Sequence, residues 1–521
     1  MKKIEIFDSS LRDGAQGCGI SYSVADKLNI LKALDEFGVD YIEAGNPSSN
    51  QKDVEFFQKA TAYKMKNSKL VAFGATKRKG IKPEEDSNLN ALVTSGADYI
   101  SIFGKSSKLH VEEIIKATLQ ENLDMIYDTV SYLVGLGKIV FYDAEHFFDG
   151  YKLSAEYALE TLKMAEKAGA SRIVLCDTNG GCFPDEIYEI TKKCVETLNV
   201  PIGIHCHNDM ECAVANSISA IKAGAVQVQG TFIGTGERCG NTNLSAIIPS
   251  LQLKLGYDCI DVEKMPLLTV TARHIAEISN IALPDCHAYV GKNAFSHKAG
   301  MHVDGVKKNS KSFEHVEPND VGNERNILVS EVAGRAVIMD KLRRIAPELT
   351  KDSKEVGQII ELLKQQEYMG YQYEAAEASF ELLVMRFLKK YKPFFNIEYY
   401  KIIGEKSDNT NLLDSAIVKV KVGDKTEISA DEGKGPVNAI DKAVRQALGM
   451  FYSQLDEVYL VDYKVRVMDS GSATAAIVRV LIETTDGVNA WTTVGASTDI
   501  IEASVEALID SLEYKLVKSI K

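Results

Sequence analysis

The first 235 residues alternate short apolar runs with longer stretches in which apolar residues recur every three or four positions. The longer stretches predict amphipathic helices, and one of them places Leu28, Leu31, Leu34 and Phe37 on a single face that Gly38 closes. The short runs, rich in β-branched and aromatic residues, predict eight strands, at residues 3–8, 39–45, 70–76, 97–103, 138–145, 171–179, 201–209 and 225–232. This part of the chain is therefore a series of strand–helix units.

Repeated strand–helix units indicate parallel strands that are buried on both faces. Eight such units within about 250 residues match a (β/α)8 TIM barrel. A doubly wound sheet is the alternative, but it often carries a phosphate-binding fingerprint after its first strand. Residues 8–17, which read DSSLRDGAQG, lack the GxGxxG spacing of that fingerprint. We therefore expect an α/β protein with an N-terminal barrel.

Polar residues gather at one end of these predicted strands. The carboxyl ends carry Asp8, Glu43, Ser101, Glu145, Asp177, Thr178, His205, His207 and Thr231. Active sites of (β/α)8 barrels are built at that end of the strands. The pattern therefore supports the barrel and also predicts where its chemistry lies.

The remainder of the chain shows two different sequence patterns, one mostly helical and one with both strands and helices. We expect the barrel over residues 1–275, mostly helical linker subdomains over 276–393 and a C-terminal α+β domain over 394–521. Residues 415–448 and 472–512 share one layout, with strands, a turn of small residues and then an amphipathic helix. Neither copy carries a cluster of His, Cys or paired acidic residues, which indicates a role in binding or assembly rather than in chemistry.

Composition limits the classes of partner and compartment. The net charge of −13 and the absence of a basic tail argue against nucleic acid. The sequence has no run of 18 apolar residues, so we expect no membrane span. The chain starts in a predicted strand without a signal-peptide pattern. Nine singly spaced cysteines without a CxxC pair favour reduced thiols in a cytoplasmic protein.

Two histidines on one predicted strand give the sharpest local signal. His205 and His207 are two positions apart, so both side chains face the same side of the strand. They are either hydrogen-bonded core histidines or metal ligands. Asp13 follows the first strand and Asn241 follows the eighth, and these strands are neighbours in a closed barrel; Asn241 could also be a turn residue. Two N and two O ligands favour Mg²⁺ or Mn²⁺ with a chelating substrate, with Zn²⁺ also possible.

Other polar residues fit a reaction around such a metal. Arg12 could stabilise negative charge on a substrate oxygen, although a surface salt bridge with its neighbour is the simpler interpretation. Glu145 and His302 are candidates for general acid/base catalysis, and His302 could instead be an ordinary loop histidine. Thr178 could donate a hydrogen bond to a substrate carboxylate or merely cap the end of a strand.

Four motifs in this order resemble those of the acetyl-CoA-dependent Claisen condensing enzymes. The motifs are FDSSLRDGAQG (7–17), IHCHND (204–209), GTGERCGNTNL (234–244) and HKAGMHVDG (297–305). The family comprises isopropylmalate, homocitrate and citramalate synthases, and 3-hydroxy-3-methylglutaryl-CoA lyase shares its barrel. The likeness extends over essentially the whole chain, and it is strongest to the citramalate branch.

The resemblance implies a role for each of these positions. It implies Asp13, His205, His207 and Asn241 as metal ligands, Arg12, Glu145 and His302 as catalytic residues, and Arg12, Gln16 and Thr178 as substrate contacts. It further implies an acyltransferase that joins acetyl-CoA to pyruvate, and a homodimer in which His302 acts on the partner's barrel. The C-terminal repeat resembles the family's amino-acid effector domain, for which isoleucine is the expected ligand.

Three alternatives stay open at this point. The substrate could be a larger 2-oxo acid, as in isopropylmalate or homocitrate synthase, because one sequence gives the pocket volume poorly. The protein could be a lyase running the reverse cleavage, although the lyases are typically barrel-only. It could also be a ligand-sensing protein on an inactive barrel, but the intact set of polar residues argues against that.

Overall fold

The computed structural model describes residues 2–327, 335–350, 352–373, 375–404, 413–468 and 476–519. The chain divides into two units, one of Met1–Phe295 and Glu314–Arg325 and the other of Ser296–Phe313 and Asn326–Lys521. The second copy of the predicted repeat starts at residue 472, so its residues 472–475 lie outside the described residues. The division into three domains at 275 and 393 stays a prediction.

Eight parallel strands close into a barrel in the first unit, with each strand hydrogen-bonded to the next and β8 to β1. The strands are β1 Glu5–Asp8, β2 Tyr41–Glu43, β3 Lys69–Ala75, β4 Tyr99–Lys105, β5 Ile139–Glu145, β6 Arg172–Asp177, β7 Ile202–Cys206 and β8 Gln227–Gly230. Each lies within one of the eight predicted strands or within two residues of it. The barrel predicted from sequence is confirmed, and the doubly wound alternative is wrong.

Helices cover the outside of the barrel. They are α1 Val24–Phe37, α2 Gln51–Ala60, α3 Ser87–Thr94, α4 Leu119–Gly135, α5 Phe147–Leu153, α6 Ala155–Lys167, α7 Pro184–Thr197, α8 Ala213–Ala223, α9 Leu244–Pro249 and α10 Leu268–Ile278. The sequence sets the ends of α1, because Ser23 forms a capping box with Asp26 and Gly38 adopts φ 94°. Leu31, Leu34 and Phe37 are fully buried on its inner face, as predicted.

The barrel interior is filled in layers, because every second residue of a strand points inward. An aromatic cluster fills the middle, with Phe7, Tyr41, Tyr99 and Phe141 in ring contact. Two residues beyond Tyr41, Tyr99 and Phe141, the inward positions become polar, with Glu43, Ser101 and Asp143. His205 on β7 and Gln229 on β8, which pair with each other, are the polar inward residues of the neighbouring strands. A hydrophobic floor therefore supports a polar layer at the carboxyl ends of the strands.

The second unit begins with short strands and helices. They are β9 Ser296–His297, α11 Gly300–Lys308, β10 Asn326–Ile327, α12 Arg335–Ile345, α13 Lys354–Tyr368 and α14 Glu377–Phe387. Helices α11 to α14 share one apolar cluster that includes Val303, Leu342, Ile359 and Phe380. This part agrees with the predicted helical texture. Among the described residues, no helix is long and apolar enough to cross a membrane.

Two modules of the same order complete the second unit. The first is β11 Asn396–Gly404, β12 Asp414–Val422, β13 Lys425–Gly433 and α15 Pro436–Gly449, and the second is β14 Tyr459–Val467, β15 Val478–Thr485, β16 Ala490–Ser497 and α16 Ile500–Ser519. In each, three antiparallel strands are consecutive neighbours and the helix packs on the sheet. This confirms the C-terminal α+β domain with an internal repeat.

One edge of the second sheet carries exposed apolar residues. Tyr463, Val465 and Val467 of β14 pair with Ile482, Val480 and Val478 of β15. Paired residues project from the same face of a sheet, and Val480 and Ile482 are fully buried on this face. The three β14 side chains are 37–52% exposed. The apolar face that is buried at β15 therefore continues onto β14, where its side chains are partly exposed in a single chain.

Candidate functional site

Three buried ligating side chains meet at the carboxyl ends of the barrel strands. Asp13 lies in the loop after β1, His205 lies on β7, and His207 follows that strand. The Nε2 atoms of the two histidines are 3.4 Å apart, and Oδ2 of Asp13 lies 3.6 Å from that of His205 and 3.9 Å from that of His207. Among the described residues, this is the one group of three or more His, Cys or acidic side chains that could hold a metal ion.

Asn241 joins this group through the loop after β8. Its backbone forms an isolated bridge with His207, and its Nδ2 donates to Oδ1 of Asp13 across 2.9 Å. Its Oδ1 is buried and has no hydrogen-bond partner within the described part of the chain. An unsatisfied buried carbonyl oxygen is costly unless a ligand completes it. The four predicted ligands therefore lie together, and their assignment to a metal stays a prediction.

The protonation states at this group suit a cation. Burial would raise the pKa of Asp13, but Arg12 and the two histidines lower it overall, well below its usual range. Burial, offset in part by Asp13, lowers the pKa of His205 to about 4, and burial also lowers the pKa of His207. At neutral pH the site therefore holds an ionised carboxylate and two neutral imidazoles, which are the ligand forms that metals require.

Arg12 is held rigidly beside Asp13. Its Nε donates to Oε2 of the buried Glu43 across 2.7 Å, and its Nη1 donates to Oδ2 of Asp13 across 2.9 Å. Its guanidinium lies 3.9 Å from the centre of the Phe73 ring. Burial would lower the pKa of Arg12, but Glu43 and Asp13 raise it overall, so the cation is permanent. The simpler interpretation, a surface salt bridge, is wrong because Asp13 and Glu43 are buried.

Thr178 and Glu145 follow neighbouring strands on the same rim. The backbone N–H of His146 donates to Oγ1 of Thr178 across 2.8 Å, which leaves the hydroxyl proton of Thr178 available to another acceptor. Glu145 ends β5 and forms an ion pair with Nζ of Lys105. The structure thus places both residues at the predicted end of the barrel, and their roles stay predictions.

Two further predicted residues are not brought to this cluster by any described contact. Gln16 is exposed at the end of a short 3-10 turn, Gly14–Gln16, beyond Asp13. His302 is exposed on α11 in the second unit, where its ring stacks on Phe313 at 4.0 Å between centroids. The assignments of Gln16 to substrate binding and of His302 to catalysis stay predictions.

Sequence reasoning assigned no role to several residues that shape the site. Glu43 accepts a hydrogen bond from Arg12. Its position at the end of β2 is the sequence feature that could have indicated a role in the site. Arg238 forms two hydrogen bonds with Asp209 and donates to the carbonyl of Thr178 across 2.7 Å, so it ties three rim loops together. Nothing in the local sequence around Arg238 distinguishes this contact from an ordinary charged loop residue.

Three family models match consecutive parts of the chain. The HMGL-like model matches residues 3–269, which include the whole barrel. The model of the homocitrate synthase post-HMGL domain matches residues 289–368, and that of the LeuA allosteric (dimerisation) domain matches residues 374–516. The first match covers more than half of the chain and contains Asp13, His205 and His207.

Full-length relatives narrow the family further. The chain is 49% identical to the (R)-citramalate synthase of Aquifex aeolicus over 99% of its own length and 98% of that protein. It is 46% identical to the (R)-citramalate synthase of Geobacter sulfurreducens, with 100% and 98% covered. Identity to the probable 2-isopropylmalate synthase of Methanopyrus kandleri is 32%, with 97% of each chain covered. The chain therefore belongs to the (R)-citramalate synthase family of HMGL-like condensing enzymes, as its motifs indicated.

Proposed function

We propose that the protein condenses acetyl-CoA with pyruvate and water to give (R)-citramalate and CoA. The observation that carries this proposal is the buried Asp13, His205 and His207 cluster with Arg12 fixed beside it, in a chain of this family. A carbon–carbon bond forms between the acetyl methyl group and C2 of pyruvate. Water then cleaves the thioester, which releases CoA and makes the reaction effectively irreversible.

We assign Asp13, His205, His207 and Asn241 as ligands of a divalent cation, with Mg²⁺ or Mn²⁺ favoured and Zn²⁺ possible. The donor set fits because it offers two imidazole nitrogens, a carboxylate oxygen and the unpaired Oδ1 of Asn241. A cation held there supplies Lewis-acid polarisation of the 2-oxo group. The carboxylate oxygen of Asp13 and the amide oxygen of Asn241 are also the kind of oxygen ligands that a hard divalent cation prefers.

We propose that Arg12 stabilises the negative charge that develops on the former carbonyl oxygen. Glu43 and Asp13 bind its Nε and Nη1, while Nη2 has no partner among the described residues. The side chain is 12% exposed, so it is not fully enclosed by protein. A donor that is fixed before the reaction needs no reorganisation in the transition state. We therefore assign Arg12 as both a substrate contact and a catalytic residue.

Thr178 and Gln16 are assigned to the substrate. The hydroxyl of Thr178 already accepts from His146, so its own proton is directed to a different acceptor, for which the carboxylate of pyruvate is suitable. Gln16 extends from the turn that follows Asp13 and is exposed to solvent. An amide there offers both a donor and an acceptor to a bound substrate.

Glu145 and His302 are assigned to proton transfer. One of these two residues removes a proton from the methyl group of acetyl-CoA, and the other transfers protons to or from oxygen atoms of the substrate. Lys105 pairs with Glu145 and thereby fixes one carboxylate oxygen. His302 belongs to the second unit, and we propose that it acts on the barrel of a partner subunit.

A homodimer follows from the same proposal. The LeuA dimerisation model matches residues 374–516, and the exposed apolar residues of β14 lie within that segment. Contiguous exposed apolar surface marks interaction sites. We further propose that this domain binds isoleucine as a feedback effector, because citramalate leads towards isoleucine. All nine cysteines are free, which agrees with the proposed cytoplasmic location.

Steady-state kinetics tests the proposal directly. The protein is stripped with EDTA, restored with Mg²⁺, Mn²⁺ or Zn²⁺, and assayed for CoA release with acetyl-CoA and each of pyruvate, 2-oxoisovalerate and 2-oxoglutarate. We expect a clear preference for pyruvate and a dependence on added metal. The relative named as a probable 2-isopropylmalate synthase makes 2-oxoisovalerate the main competitor. Turnover of 2-oxoisovalerate well above pyruvate would show that the substrate assignment is wrong.

A further inference from the structure

A chain of buried hydrogen bonds runs beneath the metal cluster. Oγ of Ser101 donates to Oδ2 of Asp143 across 2.8 Å, and Nε2 of Gln229 lies 3.2 Å from Oδ1 of the same carboxyl group. Oε1 of Gln229 lies 3.0 Å from Nδ1 of His205. All four side chains are at most 5% exposed. Gln229 therefore connects a metal ligand to a carboxyl group on another strand.

The barrel register brings these residues together. Gln229 on β8 pairs directly with His205 on β7, and paired residues on adjacent strands project to the same side. Asp143 lies on β5 and Ser101 on β4, at inward positions of the same polar layer. The contact is therefore fixed by the backbone of four strands rather than by flexible loops.

Asp143 determines which way the amide of Gln229 faces. An oxygen of Asp143 accepts a hydrogen bond, so the amide presents its Nε2 to Asp143 and its Oε1 to His205. Burial and the neighbouring Glu43 raise the pKa of Asp143. A proton on Oδ2 leaves this orientation unchanged, because the Ser101 hydroxyl can rotate to accept that proton while the unprotonated Oδ1 still accepts from Gln229.

The orientation of Gln229 in turn fixes the proton on His205. A carbonyl oxygen can only accept, so Nδ1 of His205 carries the proton and Nε2 carries the lone pair. That Nε2 atom is the one that faces Asp13 and His207. With the amide reversed, its NH₂ group would favour the other tautomer, and a proton would occupy the position that a metal needs.

We propose that Gln229 is a positioning residue that selects the tautomer of His205 and so prepares Nε2 for the cation, with Asp143 and Ser101 holding the amide in place. This inference rests on the proposed metal centre. Partners of metal-bound histidines commonly act in this way, and their loss weakens metal binding by about 10-fold to 100-fold.

The test compares metal binding by five forms of the protein after removal of metal with EDTA. Calorimetric titration with Mn²⁺ gives the Kd of the wild type, Gln229→Met, Gln229→Glu, Gln227→Met and His207→Ala, in which one proposed ligand is removed. Gln227 is the matched control, because it is equally buried on β8 and donates to Glu5 instead of contacting the metal cluster. Thermal melting without metal checks that each variant folds.

We expect Gln229→Met to raise the Kd for Mn²⁺ by about 10-fold to 100-fold, because methionine cannot accept a hydrogen bond from Nδ1. Gln229→Glu keeps an acceptor for Nδ1, and a proton shared between the new carboxyl group and Asp143 replaces the lost N–H donor, so its Kd should remain within about threefold of the wild type. The Kd of Gln227→Met should match that of the wild type. The visible spectrum of the Co²⁺-loaded protein provides a second measure, and of the glutamine variants only Gln229→Met should alter it.

Three results would contradict the inference. An unchanged Kd for Gln229→Met, together with loss of binding in His207→Ala, would leave the metal centre intact and remove the role of Gln229. Equal losses in Gln227→Met and Gln229→Met would show a general effect of packing on β8. Failure of the wild type to bind Mn²⁺ or Co²⁺ would instead refute the proposed metal centre, and the inference with it.

Discussion

The backbone N–H of His146 donates to Oγ1 of Thr178 across 2.8 Å, and His146 adopts φ 56° where it makes this contact. Left-handed backbone is unfavourable for a residue other than glycine, and such strain is often held at functional sites. The imidazole of His146 stacks on that of His110, with 3.7 Å between ring centroids. The strained turn is thus fixed from two sides, and it directs the hydroxyl proton of Thr178 away from the protein backbone.

Replacing Thr178 with valine should specifically weaken binding of the 2-oxo acid. Valine keeps the shape of threonine but cannot donate to a carboxylate, and a hydrogen bond to a charged group contributes about 1.5–3 kcal/mol. We therefore expect the KM for pyruvate to rise by about 10-fold to 100-fold, with the KM for acetyl-CoA little changed. Steady-state kinetics with each substrate varied in turn measures both values.

Thr191→Val is the control for that substitution. Thr191 lies on α7, and its buried Oγ1 has no hydrogen-bond partner among the described residues. Loss of this hydroxyl should leave both KM values unchanged and should not lower thermal stability. Equal changes in the two KM values of Thr178→Val would contradict a specific contact with the 2-oxo acid.

Removing one ligand of the metal cluster should abolish turnover while the barrel remains folded. His207→Ala leaves only Asp13, His205 and Asn241 of the four proposed ligands, which weakens cation binding, and we expect kcat to fall by at least about 1000-fold. In the wild type, bound metal should raise the melting temperature, because a ligand that binds only the folded state stabilises it. Differential scanning fluorimetry with and without Mn²⁺ should show this increase in the wild type and none in His207→Ala.

Introducing a charge on the exposed face of β14 should disrupt dimerisation. Val465→Glu places a carboxylate on the apolar face that continues from the buried Val480, and burying an unpaired charge is strongly unfavourable. We expect light scattering to report one chain per particle instead of two. Lys464→Glu, on the opposite face of the same strand, should leave the wild-type mass unchanged. A dimeric Val465→Glu variant would place the interface elsewhere.

The buried carboxyl group of Asp8 should make stability depend on pH. Burial raises the pKa of Asp8 to about 7, whereas the unfolded chain releases this proton near pH 4. Between these values the folded state binds more protons than the unfolded state, so this contribution to stability decreases as pH rises from about 4 to 7. Relative to the wild type, Asp8→Asn should gain stability over the same range.

Urea unfolding midpoints at several pH values measure that difference. Asp98→Asn is the comparison, because the side chain of Asp98 is 84% exposed and its replacement should give a difference that does not vary with pH. A constant difference between Asp8→Asn and the wild type from pH 4 to 8 would show that Asp8 stays ionised in the folded protein.

The barrel was predictable because each strand is short, apolar on both sides and followed by an amphipathic helix. The ends of α1 followed from Ser23 and Gly38, which act locally on the backbone. The proximity of Asp13, His205 and Asn241 was also predictable, since all three follow or end strands that topology brings to one rim; their role as metal ligands stays a prediction. These features depend on periodicity and strand order, and both are visible in a sequence.

Side-chain contacts inside the barrel were not predictable in the same way. Glu43 and Gln229 look like ordinary residues of β2 and β8, and their partners Arg12 and Asp143 are distant in sequence. Which inward residues meet depends on the register and tilt of eight strands, and a shift of one residue would turn each side chain to the other face. The hydrogen-bond acceptors around Asp13, His205 and His207 could therefore be identified only from the structure.

The hydrogen bond between Asp13 and Asn241 joins residues that are 228 positions apart, across the β1–β8 seam. Ribosomes add about 5–20 residues per second, so about 10–50 s pass between the synthesis of Asp13 and that of Asn241. During that interval β1 has an unpaired edge and Arg12 has no closed rim around it. The four side chains proposed as metal ligands can therefore come together only after the last barrel strand has docked.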